Sequence, residues 1–126
     1  ISIDDVHAKD EILAVDMVSE IDAIDGLNPH AMLVLLAICR RLKKESSMTT
    51  GDAEGLYAVV CEEYEETMKS HTTLWKYLKE LENRQLIKTR ISTVTGGRGR
   101  TTHLSMPHFL PSDIASRLEM LIEKRL

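Results

Sequence analysis

The spacing of apolar residues indicates a helix and then two strands within residues 69–106. Leu74, Leu78 and Leu81 recur at i, i+4 and i+7, which places them on one face of an α-helix. Ser70 precedes this stripe and is a favourable N-cap, because its hydroxyl can accept a hydrogen bond from an amide of the first turn. The pattern predicts an amphipathic helix whose opposite face is polar and basic.

After Gln85 the helical spacing of apolar residues ends, and β-branched residues alternate with polar ones instead. Residues 86–92 are rich in β-branched side chains at alternate positions, and residues 101–106 read as a second strand. The sequence TVTGGRGR between them is typical of a hairpin loop, since glycine accepts the positive φ angles of tight turns. A helix, a strand, a basic hairpin tip and a second strand predict the second half of a winged helix-turn-helix.

The earlier part of the chain predicts further helices. Residues 1–26 carry a loose apolar stripe among many acidic residues, which fits either one helix or two shorter ones. Gly26 ends this arm, Asn28 is an expected N-cap, and Pro29 suits the first helical position. Residues 31–42 are apolar on nearly every side until two arginines, so we expect them to form the central core helix.

Residues 43–50 are polar and predict a turn, at the end of which Thr50 can cap a helix over residues 51–64. A turn at Pro111 and a cap at Ser112 predict a last amphipathic helix at the C-terminus.

The predicted fold class is therefore mainly α with a small β-hairpin, namely a winged helix-turn-helix with additional N- and C-terminal helices. We divide the chain into an N-terminal helical arm at residues 1–26 and a winged-helix domain at residues 27–126.

Charge is distributed unevenly along the chain. The formal net charge is -4, but residues 1–68 hold 15 acidic and 5 basic residues, a net charge of -10. Residues 69–104 hold 2 acidic and 8 basic residues, a net charge of +6. Because a local basic surface is sufficient to bind phosphates, this polarity favours a nucleic-acid interface over a merely solvated face.

The candidate DNA-binding residues form two groups. Those at the start and on the polar face of the third helix are Ser70, His71, Thr72, Thr73, Lys76 and Lys79. Those of the wing are Thr95, Gly96, Gly97, Arg98, Gly99 and Arg100. We expect Thr72 to lie nearest a base edge, the lysines to hold phosphates, and the two arginines to contact an adjacent groove or the backbone.

Composition and motifs point away from several other classes. The 126 residues, 43% of them hydrophobic, fit one globular domain. The longest apolar run is far shorter than the roughly 20 residues of a membrane-spanning helix, and we expect a soluble, cytoplasmic protein. Cys39 and Cys61 lie in apolar helical patterns, which predicts buried reduced thiols.

Chemical motifs are missing from the sequence. The five histidines and two cysteines have no metal-ligand spacing, and no G-x-x-x-x-G-K-[ST] phosphate-binding loop is present. We therefore expect no catalytic residues, no metal and no cofactor in this chain.

Four stretches of the sequence carry a family resemblance: LNPHAMLVLLAI, TTGDAEGLYAVVCEEY, LWKYLKELENRQLI and GGRGRTTHLSM. Together they resemble the C-terminal winged-helix domain of archaeal origin-recognition (ORC/Cdc-type) replication initiators. The resemblance implies binding to double-stranded DNA at replication origins, a nucleoid-associated location, and other replication proteins as further partners. It also implies that ATP is bound and hydrolysed by a preceding domain, of whose lid residues 1–26 would be the tail.

One departure from that family concerns the turn after the third helix. The family usually has a glycine there, where this chain has ENRQLI.

Two other functions fit the same fold. A winged-helix transcription regulator would dimerise through its terminal helices and read a palindrome, and a protein-interaction module would use the acidic first half. Oligomeric state separates the first of these from an initiator domain, which we expect to be a monomer in isolation.

Overall fold

The computed structural model describes residues 20–93 and 100–125. Its elements in chain order are α1 (Pro29–Leu42), β1 (Met48–Thr49), α2 (Thr50–Glu63), α3 (His71–Asn83), β2 (Lys88–Thr93), β3 (Arg100–Ser105) and α4 (Pro111–Arg125). Residues 20–24 are also helical and end in a turn before α1. Within this part of the chain, no helix combines the length and the apolar character needed to cross a membrane.

The central core helix is α1, as the sequence predicts. Every residue from Ala31 to Cys39 is buried, and α1 packs against α2, α3 and α4. The Asn28 side chain accepts a hydrogen bond from the His30 amide at 2.8 Å, and Pro29 occupies the first helical position. The predicted start of this helix is therefore confirmed.

The predicted hairpin is confirmed, but the sheet has three strands in the order β1-β3-β2. Both neighbours of β3 are antiparallel to it, and Leu104 is the partner of Met48 on one side and of Thr89 on the other. Residues 43–50 were predicted to form only a turn. This prediction was wrong for Met48 and Thr49, which form β1. A strand of two residues is too short to show an alternation of apolar and polar positions, so only its pairing with the distant β3 defines it.

Two predicted helix caps are also corrected. The cap of α2 is Thr49 rather than Thr50: its hydroxyl accepts from the Asp52 amide at 3.1 Å, and the Asp52 carboxylate accepts from the Thr49 amide at 3.3 Å. Helix α4 begins at Pro111, which places Ser112 inside the first turn instead of before it. Proline suits that first position because its missing N–H would have no partner there.

Two helices end in left-handed turns without glycine. Glu65 after α2 has a φ of 56°, and Gln85 after α3 has a φ of 62°. In the second turn the Leu86 amide donates to the Leu81 carbonyl at 3.0 Å, and the Gln85 amide donates to the Glu82 carbonyl at 2.9 Å. These are the two hydrogen bonds of a Schellman motif. Gln85 thus provides the turn for which the resembled family uses glycine.

Both cysteines are buried, and neither forms a disulfide. Burial raises the pKa of the Cys39 and Cys61 thiols above the ordinary value. The thiols therefore stay protonated near neutral pH, which confirms the prediction of buried reduced cysteines.

Replacing Gln85 by glycine is expected to stabilise the domain by about 0.5 to 1 kcal/mol. A left-handed conformation costs an L-residue more than the extra chain entropy that glycine loses on folding. Chemical denaturation measures the difference in the free energy of unfolding. Gln85→Ala is the matched control, because alanine loses every side-chain atom beyond Cβ and keeps the Cβ that makes a positive φ unfavourable. A glycine variant no more stable than the alanine variant would contradict the proposed strain at this turn.

Candidate nucleic-acid interface

Helix α3 has one buried face and one exposed face, as its sequence pattern predicts. Leu74, Leu78 and Leu81 are buried against the core. Thr72, Lys76 and Lys79 are exposed on the opposite side, and together we call these three residues the outer face of α3. The helix therefore presents a basic surface whose orientation is fixed by three buried leucines.

The N-terminus of α3 is capped by neighbouring side chains. The Ser70 hydroxyl accepts a hydrogen bond from the Thr73 amide at 3.3 Å, and the two hydroxyls lie 3.0 Å apart. Ser70 is thus the predicted N-cap. Because its oxygen and the Thr73 amide form the cap, both residues contribute to fixing the helix start.

The lysines of the outer face have no carboxylate partner among the described residues. The acidic residues of α3 are engaged elsewhere: Glu80 lies 3.4 Å from the Arg84 guanidinium, and Glu82 accepts from the Thr89 hydroxyl. The charges of Lys76 and Lys79 are therefore not neutralised from within this part of the chain, and a phosphate can approach them without displacing a carboxylate.

His71 is engaged on both sides of its ring. Its Nδ1 lies 2.7 Å from a Glu54 carboxylate oxygen, and its Nε2 accepts a hydrogen bond from the Trp75 indole at 2.7 Å. An acceptor at Nε2 and a carboxylate at Nδ1 define the neutral tautomer with its hydrogen on Nδ1. The predicted contact residue His71 thus joins α2 to Trp75 in this structure.

A cleft of about 170 Å³ separates α3 from the sheet. Trp75, Lys79 and Glu82 line it from the helix, and Thr89, Ile91 and Thr102 line it from the strands. Trp75 is 41% exposed and Ile91 is 61% exposed, so both present apolar surface beside the basic outer face. Sequence reasoning did not include either residue in the site. Ile91 sits where alternation suggests burial, and only the position of the sheet relative to α3 reveals its exposure.

Of the predicted wing residues, the structure describes Arg100. Thr95, Gly96, Gly97, Arg98 and Gly99 lie outside the described residues. Arg100 is exposed, begins β3 and pairs with Thr93, two positions along from the Ile91–Thr102 pair. Because alternate residues of a strand share a face, Arg100 lies on the side of the sheet that faces α3. The structure therefore places one wing arginine on the face of the sheet that is directed toward α3.

A buried polar network fixes the chain just before α3. The Tyr57 hydroxyl accepts a hydrogen bond from the Lys69 amide at 2.9 Å and lies 2.8 Å from His30 Nδ1. His30 Nε2 lies 3.3 Å from a Glu66 carboxylate oxygen. The network links α1, α2 and the turn that leads to Ser70, and sequence reasoning missed it because its members are separated along the chain.

The protonation states in this network follow from its geometry. Glu66 favours the hydrogen on Nε2, so Nδ1 of the neutral ring accepts from the Tyr57 hydroxyl. Burial raises the pKa of Tyr57 to about 12, which keeps that hydroxyl protonated. Burial, followed by the charge of Lys69, lowers the pKa of His30 below its ordinary value despite the opposing effect of Glu66.

The other end of α3 is attached to the N-terminal side of the domain. Arg84, which follows the helix, donates to the carbonyls of Ala23 and Asp25 at 2.9 and 2.7 Å. These carbonyls stand at the end of the helical residues 20–24, whose own Glu20 pairs with Arg117 of α4 at 3.3 Å. The exposed basic helix is thus held at both ends.

A helix with an exposed basic face beside an antiparallel β-hairpin, supported by α1 and α2, defines a winged-helix domain. The family described as "CDC6, C terminal winged helix domain" matches residues 22–108. The chain belongs to this family. The structure of Cdc6p from Pyrobaculum aerophilum is similar to it at a TM-score of 0.71 and 34% identity, over 86% of this chain and 26% of that one.

Curated relatives agree with this assignment. The ORC1-type DNA replication protein 2 of Saccharolobus solfataricus is 36% identical over 95 residues, which is 74% of this chain and 22% of that protein. Its namesake in Sulfurisphaera tokodaii is 32% identical over 108 residues, 84% of this chain and 26% of that protein. The chain therefore spans about a quarter of the length of these relatives.

Acidification is expected to destabilise the domain through His30. Because the pKa of His30 is lower in the folded than in the unfolded chain, the unfolded chain binds more protons. The contribution of His30 to stability is therefore fully present above the ordinary pKa of 6.5 and is lost as the pH falls from there through the lowered pKa of the folded chain. Denaturation of the wild type and of His30→Gln between about pH 5 and pH 8 measures this effect. The wild type should lose more stability than the variant, and equal losses would exclude His30 as the cause.

Proposed function

We propose that this domain binds double-stranded DNA at replication origins. Helix α3 enters the major groove with its N-terminal turn foremost, and the wing contacts an adjacent groove or the backbone. This geometry is common to helix-turn-helix modules, in which residues near the start of the second helix approach base edges. Thr72 is the candidate for a base contact, and Lys76 and Lys79 are candidates for phosphate contacts that set orientation.

The observation that carries this proposal is the pair of lysines on the outer face of α3. They are exposed, they have no carboxylate partner in the described part of the chain, and Arg100 lies on the sheet face that is directed toward α3. A surface of this kind gains affinity for phosphates through release of counterions. The acidic balance of the whole chain does not oppose this, since an electrostatic interface is local.

We also propose that the domain is the C-terminal module of a longer initiator that binds and hydrolyses ATP. The family membership and the names of the relatives, which are DNA replication proteins, support this role. The chain itself contains no phosphate-binding loop, so ATP chemistry would belong to another part of the parent protein. Other replication proteins are the expected additional partners, and the cytoplasm is the expected location.

Removing both lysines of the outer face is expected to weaken DNA binding and its dependence on salt. If Lys76 and Lys79 each neutralise one phosphate, Lys76→Ala with Lys79→Ala reduces the slope of log K against log salt by about 1.8 units. Fluorescence anisotropy with a labelled duplex over a range of salt concentrations measures this slope.

The matched control is Lys124→Ala, which removes an exposed lysine from α4 and should change neither quantity. Unchanged affinity and slope in the α3 double variant would show that the outer face of α3 does not contact DNA.

The wing is expected to provide a second, separable contact. Arg98→Ala with Arg100→Ala should weaken binding to origin and unrelated duplexes alike and lower the salt slope by about 1.8 units if both arginines neutralise phosphates. The same anisotropy titration, carried out on two duplexes of different sequence, gives the result. A double variant that binds both duplexes with the wild-type slope, while the α3 variants lose binding, would restrict the interface to the helix.

A further inference from the structure

The sheet has a second surface that faces away from α3. Strand register places Lys88 opposite Ser105 and Arg90 opposite His103, and paired residues project from the same face. These four residues, with Ser46 and Ser47 from the segment before β1, line a cleft of about 320 Å³. We call these six residues the outer wing face.

The outer wing face is positively charged and lacks an acidic partner. Lys88 and Arg90 are exposed and form no ion pair within the described residues. No carboxylate lines the cleft. Glu45 is adjacent to Ser46 in sequence, but its carboxylate lies 3.7 Å from the Arg41 guanidinium. The two fixed charges are therefore uncompensated there, which favours an anion over a cation or an apolar ligand.

The arrangement of donors fits a phosphate group. Lys88 and Arg90 are two residues apart on one strand, so their backbones are separated by about 6.6 Å and their long side chains can converge. A guanidinium can bind two phosphate oxygens at once, and the hydroxyls of Ser46 and Ser47, which line the same cleft, add further donors. His103 is held by a hydrogen bond between its Nε2 and the Ser92 hydroxyl at 3.0 Å.

We propose that the outer wing face is a second phosphate-binding site, which receives the DNA backbone beyond the wing. This proposal rests on the proposed DNA binding by α3. The same two strands carry Arg100 on the face toward α3 and Lys88 with Arg90 on the opposite face. A duplex that continues past the hairpin brings phosphates to both faces, and contact with the second face extends the interface along the DNA.

The test compares two duplexes, because only the longer one reaches beyond the wing. A duplex of about 12 base pairs is little more than one helical turn, whereas one of about 30 base pairs continues for almost two further turns. Lys88→Gln and Arg90→Gln are made singly and together, and Arg90→Lys preserves the charge. Lys124→Gln on α4 is the control for loss of an exposed lysine.

On the longer duplex, each neutral variant is expected to reduce the salt slope by about 0.9 units, and the double variant by about 1.8 units. On the shorter duplex all variants should retain the wild-type slope, and Arg90→Lys and Lys124→Gln should retain it on both. A double variant with the wild-type slope on the longer duplex would overturn the proposal. Binding of neither duplex by the wild type would instead refute the proposed function itself.

A titration with inorganic phosphate distinguishes DNA from a small anion as the ligand. If NMR shifts at Ser46, Lys88 and Arg90 report phosphate binding while the slope on the longer duplex is unchanged in the double variant, the cleft is a small-anion site and the assignment to DNA is wrong. Shifts at these residues on addition of the longer duplex, absent with the shorter one, support the proposal.

Discussion

Nine consecutive residues of α1, from Ala31 to Cys39, are removed from water, so each side of this helix requires an apolar neighbour. Burial of one large aliphatic side chain contributes about 1.5 to 3 kcal/mol, which makes this helix the main stabilising element of a small domain. Helices α2, α3 and α4 each supply one apolar face. Their opposite faces remain in solvent, and in α3 that remaining face carries the lysines. The position of the candidate interface is thus a consequence of how α1 is enclosed.

Polar interactions then fix α3 more closely than apolar packing alone could. Leucine side chains define which face is buried, but they tolerate small shifts along the helix axis. The Tyr57 hydroxyl at the Lys69 amide and the Arg84 guanidinium at two carbonyls set the two ends of α3. A fixed position of α3 is what the proposed base contact requires, because a displacement of about 1 Å is enough to lose a directional hydrogen bond.

The sequence predicted those features that depend on local periodicity. The buried stripe of α3, the enclosed α1, the Ser70 cap and the two strands of the hairpin all follow from residues close together in the chain. Strand β1 could not be predicted, because two residues are too short to show an alternating pattern and Leu104, the partner of Met48, lies far along the chain. The His30–Tyr57 contact was missed for the same reason, as 27 residues separate its members. In the candidate site, helical spacing identified Lys76 and Lys79, whereas the exposure of Ile91 depends on where the sheet lies.

The attachment of Arg84 has a mechanical consequence. Its carbonyl partners Ala23 and Asp25 precede it by 61 and 59 residues, so the hydrogen bonds bypass nearly the whole helical core. The segment of residues 23–25 is therefore joined to the C-terminal end of α3 directly by hydrogen bonds, in addition to the apolar contacts that Ile24 makes with the core. Because Arg84 joins these two segments, their positions are coupled, and a rotation of residues 23–25 is expected to reorient the end of the helix that carries Lys76 and Lys79.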